Sequence, residues 1–385
     1  MITNKISANN EHVKIVVHEG RVTLEDLHKA LDLAVKHMVP KGGCNCGLTG
    51  FDLSFLRGDP MISLSSWRKF PTSRVPWSNM RRPAPSPTSR TTAVSPASSV
   101  RGAGSRPGIA LGVSYEGRDS ALLEQMLAHV GYIEVTPETI AEVHGDDIVL
   151  SPDVVAELKN IGKDVKIIVH GVSLSIGSHD GWAPTYLHLL DDLMEQVDVA
   201  WHSEHLGYTK VDGEHLGIML AMPKSEQALD LVCERVGLLQ RRYGIPFALE
   251  NIVHVIPDCP GDYTDAYFLN AITARTGCGL ILDVYNLECD EHNHGLDIPA
   301  FLAELDGEAV RELHVACGVV HNGFMLDVHS RLTRLRTAAL AQDAIRDVAT
   351  KAQVVVYEFM PEAVPGLGHA AIGQELAQLR QRFQG

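Results

Sequence analysis

The stretch that decides both the fold and the site is RELHVACGVVHNGFMLDVHS, residues 311–330. It opens as a short apolar strand, Leu313–Ala316, which is followed by a loop containing two glycines. His314, Asp327 and His329 lie within sixteen residues of one another. Imidazole and carboxylate ligands together suit iron, manganese or zinc, and an Asp-x-His pair can present two ligands from one loop. The stretch therefore predicts part of a metal site.

The rest of the chain from residue 108 onward repeats one pattern, in which short apolar stretches alternate with longer amphipathic ones. Eight such alternations in about 280 residues predict a (β/α)8 TIM barrel, of class α/β. A doubly wound open sheet is the alternative, but no G-x-G-x-x-G follows the first strand. The predicted strands are 109–115, 132–135, 165–171, 197–203, 246–251, 279–285, 312–316 and 354–359.

Polar residues recur at the ends of these strands. The C-terminal ends of all barrel strands meet at one face, so side chains from six strands would share a pocket. Any one of them could close a strand with a hydrogen bond, but six together indicate a site. The six residues are His170, His205, Glu250, Asp283, His314 and Glu358, and Asn286, Asp327 and His329 lie in the loops that follow.

The composition of this set predicts several metal ions. Carboxylates gathered in one pocket repel one another and are costly to desolvate, so cations must offset them. Nine candidate ligands exceed what one ion takes, and a glutamate can bridge, which indicates two or three ions. Thiolates are not part of the set, which disfavours an iron–sulfur cluster. Imidazole with carboxylate fits non-haem iron best and zinc or manganese next. Weaker candidates nearby are His202, Glu204, His292, His294 and His321.

Seven ordered motifs resemble the DUF692 family of multinuclear non-haem iron-dependent oxidative enzymes, and the resemblance covers roughly residues 108–380. One departure is Cys317, which stands where the family usually shows glycine soon after HVA. The motifs are HGVSLSIGS (170–178), SEHLG (203–207), LENI (249–252), LDVYN (282–286), LHVA (313–316), DVH (327–329) and YEF (357–359).

The resemblance implies a barrel that holds two or three irons and uses O2 to remodel residues, often cysteines, of a ribosomally made precursor peptide. It also implies a separate peptide-recognition partner protein. By similarity, the first iron would be held by His170, His205 and Glu250. The second would be held by Glu250, Asp283, His314 and Glu358, and a third by Asn286, Asp327 and His329.

The composition and net charge of the chain argue against several classes of protein. The chain has 385 residues, 45% hydrophobic, and a formal charge of −15, which argues against a general nucleic-acid binder because phosphate contacts need clustered Lys and Arg. No apolar run approaches the roughly 20 residues of a membrane span, and no signal peptide is evident. Seven scattered cysteines do not form a disulfide framework. We expect a cytoplasmic protein.

Composition also divides the chain. Residues 1–60 form a small strand-helix segment that ends in a glycine-rich Cys-x-Cys, with Cys44 and Cys46. Residues 61–107 are a Pro/Ser/Arg-rich linker that lacks the apolar periodicity needed to offset its ordering entropy, and residues 108–385 form the metal-binding barrel. The paired thiols suggest a substrate-like segment that is modified in cis; the alternative is a fused remnant whose thiols never meet the iron.

Two other functions compete with the iron oxidase. One is a metal-dependent hydrolase or isomerase on a barrel of the sugar-isomerase or endonuclease-IV type, in which the ions activate water. The other is a metal-binding or interaction protein without catalysis. The metal that the protein carries, and whether O2 oxidises it, would distinguish the three.

Overall fold

The computed structural model describes residues 7–9, 12–14, 108–144, 147–179, 181–211, 214–256, 262–321 and 323–384. The two N-terminal pieces, Ser7–Asn9 and His12–Lys14, pair as antiparallel strands. Otherwise the predicted segments 1–60 and 61–107, including Cys44 and Cys46, lie outside the described residues. The domain boundaries therefore stay predictions.

Eight parallel strands close into a barrel, as predicted, and the open-sheet alternative is wrong. Each strand pairs with the next in the chain, and the last pairs with the first. Parallel strands are covered on both faces, which explains their near-continuous apolar sequences. The strands are β1 (Ala110–Ser114), β2 (Tyr132–Val135), β3 (Lys166–Gly171), β4 (Val199–His205), β5 (Phe247–Glu250), β6 (Gly279–Asp283), β7 (Val310–Val315) and β8 (Val354–Tyr357).

Helices cover the outside of the barrel, and most of them bury apolar residues against the strands. In the longest of them, residues 226–243, Ser225 caps the first turn by accepting from the Ala228 amide, and Gly244 ends the helix at φ 69°. The helices are α1 (Ser120–Leu127), α2 (Pro152–Ile161), α3 (Pro184–Gln196), α4 (Glu226–Tyr243), α5 (Asp265–Thr276), α6 (Val284–His294), α7 (Ile298–Glu304), α8 (Leu335–Asp347), α9 (Val364–Leu367) and α10 (His369–Gln384).

The barrel interior has an apolar layer below a polar one. Side chains alternate between the two faces of a strand, so residues two apart share the interior face. The apolar cluster of Tyr132, Ile168, Trp201, Val354 and Val356 is separate from the main core. Two residues beyond Tyr132, Ile168, Trp201 and Val356 lie polar residues that belong to the site or contact it: Glu134, His170, Ser203 and Glu358. The apolar layer thus forms the floor of the site.

Three hairpins extend the C-terminal face of the barrel: residues 141–150 after β2, 207–221 after β4 and 319–326 after β7. The last hairpin needs a glycine at its base, because a Cβ on Gly318 would lie 1.9 Å from the Leu326 carbonyl oxygen. This close approach fixes where the loop that follows, with Asp327, begins. Among the described residues, no helix has both the length and the apolar character that a membrane crossing requires.

Candidate metal centre

All nine predicted ligands lie in one cluster at the C-terminal face. Among the described residues, four groups have their ligand atoms within 4.8 Å of one another, and two of them match the predicted sets. The first of these two is His170, His205 and Glu250, and the second is Glu250, Asp283, His314 and Glu358. Strand register brings them together, since His205 pairs with Glu250 and Asp283 with His314 across neighbouring strands. Glu250 belongs to both groups, so its carboxylate lies between two candidate ion positions.

The distances within the two groups are short. His170 Nε2 lies 2.8 Å and His205 Nε2 3.4 Å from Glu250 Oε2. His314 Nδ1 lies 3.0 Å from Glu358 Oε2 and 3.7 Å from Glu250 Oε1. One Glu250 oxygen therefore faces the first pair of imidazoles and the other faces His314.

Hydrogen bonds on the far side of two imidazoles set their tautomers. His205 Nδ1 lies 3.0 Å from the Gly171 carbonyl oxygen, which can only accept, so Nδ1 carries the proton. The Ser203 hydroxyl donates to the Val169 carbonyl at 3.0 Å, so at 2.9 Å it accepts from His170 Nδ1. The Nε2 atom of each ring is then left to face Glu250. A proton or a metal cation must lie between such a nitrogen and a carboxylate.

A third group lies beside these two. Asp283 caps α6 by accepting from the Asn286 amide at 2.8 Å, and the Asn286 side chain donates to Glu250 Oε1 at 3.3 Å. His329 Nε2 lies 2.7 Å from Asp327 Oδ1 and 3.9 Å from Glu358 Oε2. The backbone of His329 is left-handed, with φ 43°, a conformation that costs energy for a residue other than glycine and that recurs at functional sites.

Buried polar atoms without hydrogen bonds provide a test of whether metal ions fit. Leaving such an atom unsatisfied costs roughly 1–3 kcal/mol. Their convergence on one pocket, in a donor set of imidazole, carboxylate and amide oxygen, fits several divalent ions. The atoms are His170 Nε2, Glu250 Oε2, Asp283 Oδ2, Asn286 Oδ1, His314 Nδ1, Asp327 Oδ1, His329 Nε2 and Glu358 Oε2.

The pKa shifts of the clustered residues indicate which of them carry protons when no metal ion is bound. Burial, together with the charges of Asp327 and Glu250, holds the pKa of Asp283 well above its usual range. Burial alone would lower the pKa of His329, but Asp327 and Glu358 outweigh it and raise that pKa to about 10. Burial likewise opposes the effect of His314 on Glu358, whose pKa nevertheless falls to about 2. Protonated imidazoles thus neutralise carboxylates that metal ions would otherwise neutralise.

Sequence reasoning missed two buried glutamates beneath His314. Glu134 Oε2 and Glu312 Oε1 lie 3.3 and 3.4 Å from His314 Nε2, and the Trp201 indole donates to Glu312 Oε2 at 2.7 Å. Burial raises the pKa of Glu134 to about 8. The signal was present in the sequence, since Glu312 lies two residues before His314 and shares its face. These carboxylates orient the ring whose Nδ1 faces the centre.

The weaker candidates lie outside the ligand groups. His202 Nε2 contacts Glu204 Oε1 at 2.9 Å, and the ring packs against Phe247, on the side of β4 away from the centre. Burial lowers the pKa of His202 to about 3, so it is neutral. His292 is exposed and His294 contacts the His254 carbonyl oxygen, while His321 lies in the hairpin after β7.

The shared position of Glu250 predicts that Glu250→Gln loses more than one equivalent of metal, because neutralising one carboxylate weakens two ion positions. The matched control is Glu288→Gln. Glu288 is equally buried, but its carboxylate is held by Arg334 and by the Thr337 hydroxyl. Elemental analysis of both purified variants decides the matter. Equal metal content in the two variants would show that our ligand assignment is wrong.

The raised pKa of His329 predicts that metal binding releases protons at neutral pH. The metal-free imidazole is protonated below about pH 10, whereas a metal needs its neutral form. The apparent affinity should therefore rise as the pH increases towards that value. Titration of the metal-free protein with Zn(II) in dilute buffer containing an indicator dye measures the release. His329→Asn should release fewer protons per ion, and unchanged release would argue against this protonation.

Comparison with known proteins identifies the family. The family model described as RiPP precursor modification enzyme MbnB/TglH/ChrH matches residues 110–375. A UPF0276 protein of Rhizorhabdus wittichii is 35% identical over 199 residues, 51% of this chain and 71% of that protein. A UPF0276 protein of Anaeromyxobacter sp. is 30% identical over 213 residues, 55% of this chain and 74% of that protein.

A solved structure gives the same fold. A xylose isomerase domain containing protein from Salmonella typhimurium aligns with a TM-score of 0.50 at 11% identity, covering 73% of this chain and 100% of that one. At this identity the likeness shows the barrel fold alone. The family match, by contrast, spans the barrel and the strand ends that carry the candidate ligands. The chain therefore belongs to the MbnB/TglH/ChrH family of RiPP precursor modification enzymes.

Proposed function

We propose that this protein is an O2-dependent, multinuclear iron oxidase that modifies cysteine residues of a ribosomally made precursor peptide. The observation that carries the proposal is the pair of ligand groups joined by Glu250, in a chain of the RiPP-modifying family. Two ions held by one carboxylate would lie close enough to act on one substrate.

The donor chemistry favours iron. In the described part of the chain, these groups contain imidazoles and carboxylates but no cysteine. Such a set suits non-haem iron, with zinc and manganese as the next choices. When bound, two or three iron ions would supply a binding site for O2 and one-electron oxidation. Everything else in the reaction must come from how the protein holds its ligands and its substrate.

The protein's own contribution is to orient the ligands before any ion binds. Ser203 and the Gly171 carbonyl hold His170 and His205 with their lone pairs turned inward. Asn286 contacts Glu250 and thereby restrains the shared carboxylate. Ligands fixed in advance need little reorganisation on metal binding. Residues that hydrogen-bond to the ligands raise the metal affinity in this way.

The side of the centre that a substrate could reach is the side on which candidate ligands are partly exposed to solvent. Most of the nine residues are buried, but the side chains of His205 and His329 are each 19% exposed and that of Asp327 is 15% exposed. We infer that the peptide cysteine approaches here, between the first and third ligand groups. The apolar barrel floor lies on the opposite side, so water and substrate share one entrance.

The proposal implies two macromolecular partners: the precursor peptide and a separate peptide-recognition protein. A cytoplasmic location fits a pathway that starts from a newly made peptide. The hydrolase or isomerase alternative shares the barrel, but no feature of the described site favours it over the function of the family.

The test combines two measurements. The protein, loaded with Fe(II) without oxygen, is exposed to O2, and oxidation of the iron is followed by absorbance. It is also co-expressed with each short reading frame that flanks its gene, and the peptide products are weighed by mass spectrometry. We expect oxidation of the iron and an O2-dependent mass change that is lost in Glu250→Gln. Ferrous iron that is inert to O2, or O2-independent turnover of phosphoesters with zinc, would contradict the proposal.

A further inference from the structure

A cluster of oxidisable side chains lies beside the metal centre without belonging to it. Tyr285, Cys289, Cys317 and Met325 pack together with Ala316. They are 1%, 0%, 5% and 3% exposed, respectively, so bulk solvent barely reaches them. Both cysteines are free thiols. Among the described residues, phenol, thiol and thioether groups are thus concentrated in one buried place.

Every member of this cluster is close in sequence to a proposed ligand. Tyr285 lies between Asp283 and Asn286 at the start of α6, and Cys289 is one helical turn further on, roughly 4.5 Å along the axis from Asn286.

The other two members come from the loop after β7 and from the hairpin that follows this loop. Cys317 lies three residues after His314, and Met325 lies two residues before Asp327. The backbone carbonyl of Cys317 accepts from the amides of Ser330 and Arg331, at 2.9 and 3.1 Å, which ties it to the loop carrying the third ligand group. The cluster is therefore in contact with two of the segments that hold the centre.

Tyr285 belongs to the same packing cluster as both thiols and lies next to two candidate ligands in sequence. Its residue number puts it one turn before Cys289 on the same helix face, and the packing cluster joins it to Cys317. Its hydroxyl donates to the Leu326 carbonyl at 3.4 Å, and the Arg334 guanidinium lies 5.3 Å from its ring centre. A phenol that has a nearby proton acceptor can give up an electron and a proton together.

We propose that Tyr285, Cys289 and Cys317 form a sacrificial redox cluster, in which the thiols are oxidised when the centre reacts with O2 in the absence of peptide. The inference rests on the proposed function, since it needs a centre that reduces O2. It adds a second activity of the same site, which is oxidation of the protein's own thiols. This reaction would protect the metal-binding side chains from oxidation.

The chemistry balances as follows. One thiol and one water, with O2 as oxidant, give one sulfenic acid and one hydrogen peroxide. The sulfur gains an oxygen atom from water and loses two electrons, and O2 accepts both electrons. Iron held by the candidate ligands would supply the one-electron steps that this transfer needs, and the Tyr285 phenol would relay the electrons. The thiol proton and the surplus water proton end on the peroxide. Sulfenic acid is the first, reversible step of cysteine oxidation.

Two other cysteines serve as internal controls. Cys278 is buried, 4% exposed, at the opposite end of β6 from Asp283, and Cys233 is half-buried on α4. Oxidation by peroxide diffusing in from solvent would favour Cys233. Oxidation that starts at the centre would favour Cys289 and Cys317, although Cys289 is buried more completely than Cys278 and Cys317 about as well.

The experiment loads the full chain with Fe(II) without oxygen and adds O2 without peptide. The protein is then unfolded in denaturant that contains dimedone, which traps sulfenic acids at buried cysteines, and the remaining thiols are alkylated. Peptide mass spectrometry then quantifies each cysteine, and absorbance follows the iron. We expect adducts at Cys289 or Cys317 with Fe(II), none with Zn(II), and little change at Cys278. Tyr285→Phe should retain its iron, because the phenol is not a ligand, yet form the adducts severalfold more slowly.

Each outcome decides one of the two proposals. Iron that O2 oxidises while Cys289 and Cys317 stay unmodified would overturn this inference and leave the proposed function standing. Adducts that also form with Zn(II), or that appear first at Cys233, would overturn it as well. Iron that O2 fails to oxidise would overturn both.

Discussion

The structure depends on one electrostatic constraint: two hydrogen-bond acceptors face each other in a buried pocket. His170 Nε2 lies 2.8 Å from Glu250 Oε2, and the serine behind the ring places its proton on the other nitrogen. The same problem recurs around the pocket, where further imidazole and carboxylate atoms converge without donors. Burying such groups unpaired is costly, so a cation, or a proton in its place, is required for the fold to tolerate them.

The barrel interior separates the buried polar atoms from the apolar side chains, which form a layer of their own. An apolar layer that includes Trp201 fills the interior, and the polar atoms lie above it at the strand ends. Where the layers meet, Glu312 accepts from the Trp201 indole and faces His314. The apolar floor thus supports the ligand set through a hydrogen bond, and the strained backbone of His329 completes the set from a loop. Strands hold most of the candidate ligands, while Asp327 and His329, in the loop after β7, lie on the side that is partly open to solvent.

The barrel fold and the positions of most candidate ligands could be predicted from the sequence, because the ends of buried strands can be recognised there. A buried parallel strand is a run of apolar residues, and a histidine or carboxylate at its end stands out, as His170 and Asp283 do. The fold and the family resemblance were confirmed by the closed barrel and by the family match. The roles of the individual ligands stay predictions.

What could not be predicted depends on three-dimensional neighbours. Ser203 sets a tautomer only because strand register places it beside His170. Glu134 looks like one polar residue in an apolar strand until β2 is seen to face His314 across the barrel. The sequence also ranked His202 as a candidate, although its side chain turns outward, because position near a strand end does not by itself say which face a residue occupies.

The central claim is that the converging ligands hold a cluster of ions, not one. Mössbauer spectroscopy of protein produced with 57Fe and purified without oxygen tests it directly, with total iron measured on the same sample. We predict two or three irons per chain, at least two of them magnetically coupled because they share a carboxylate. A single isolated iron per chain, or zinc in place of iron throughout, would contradict the account.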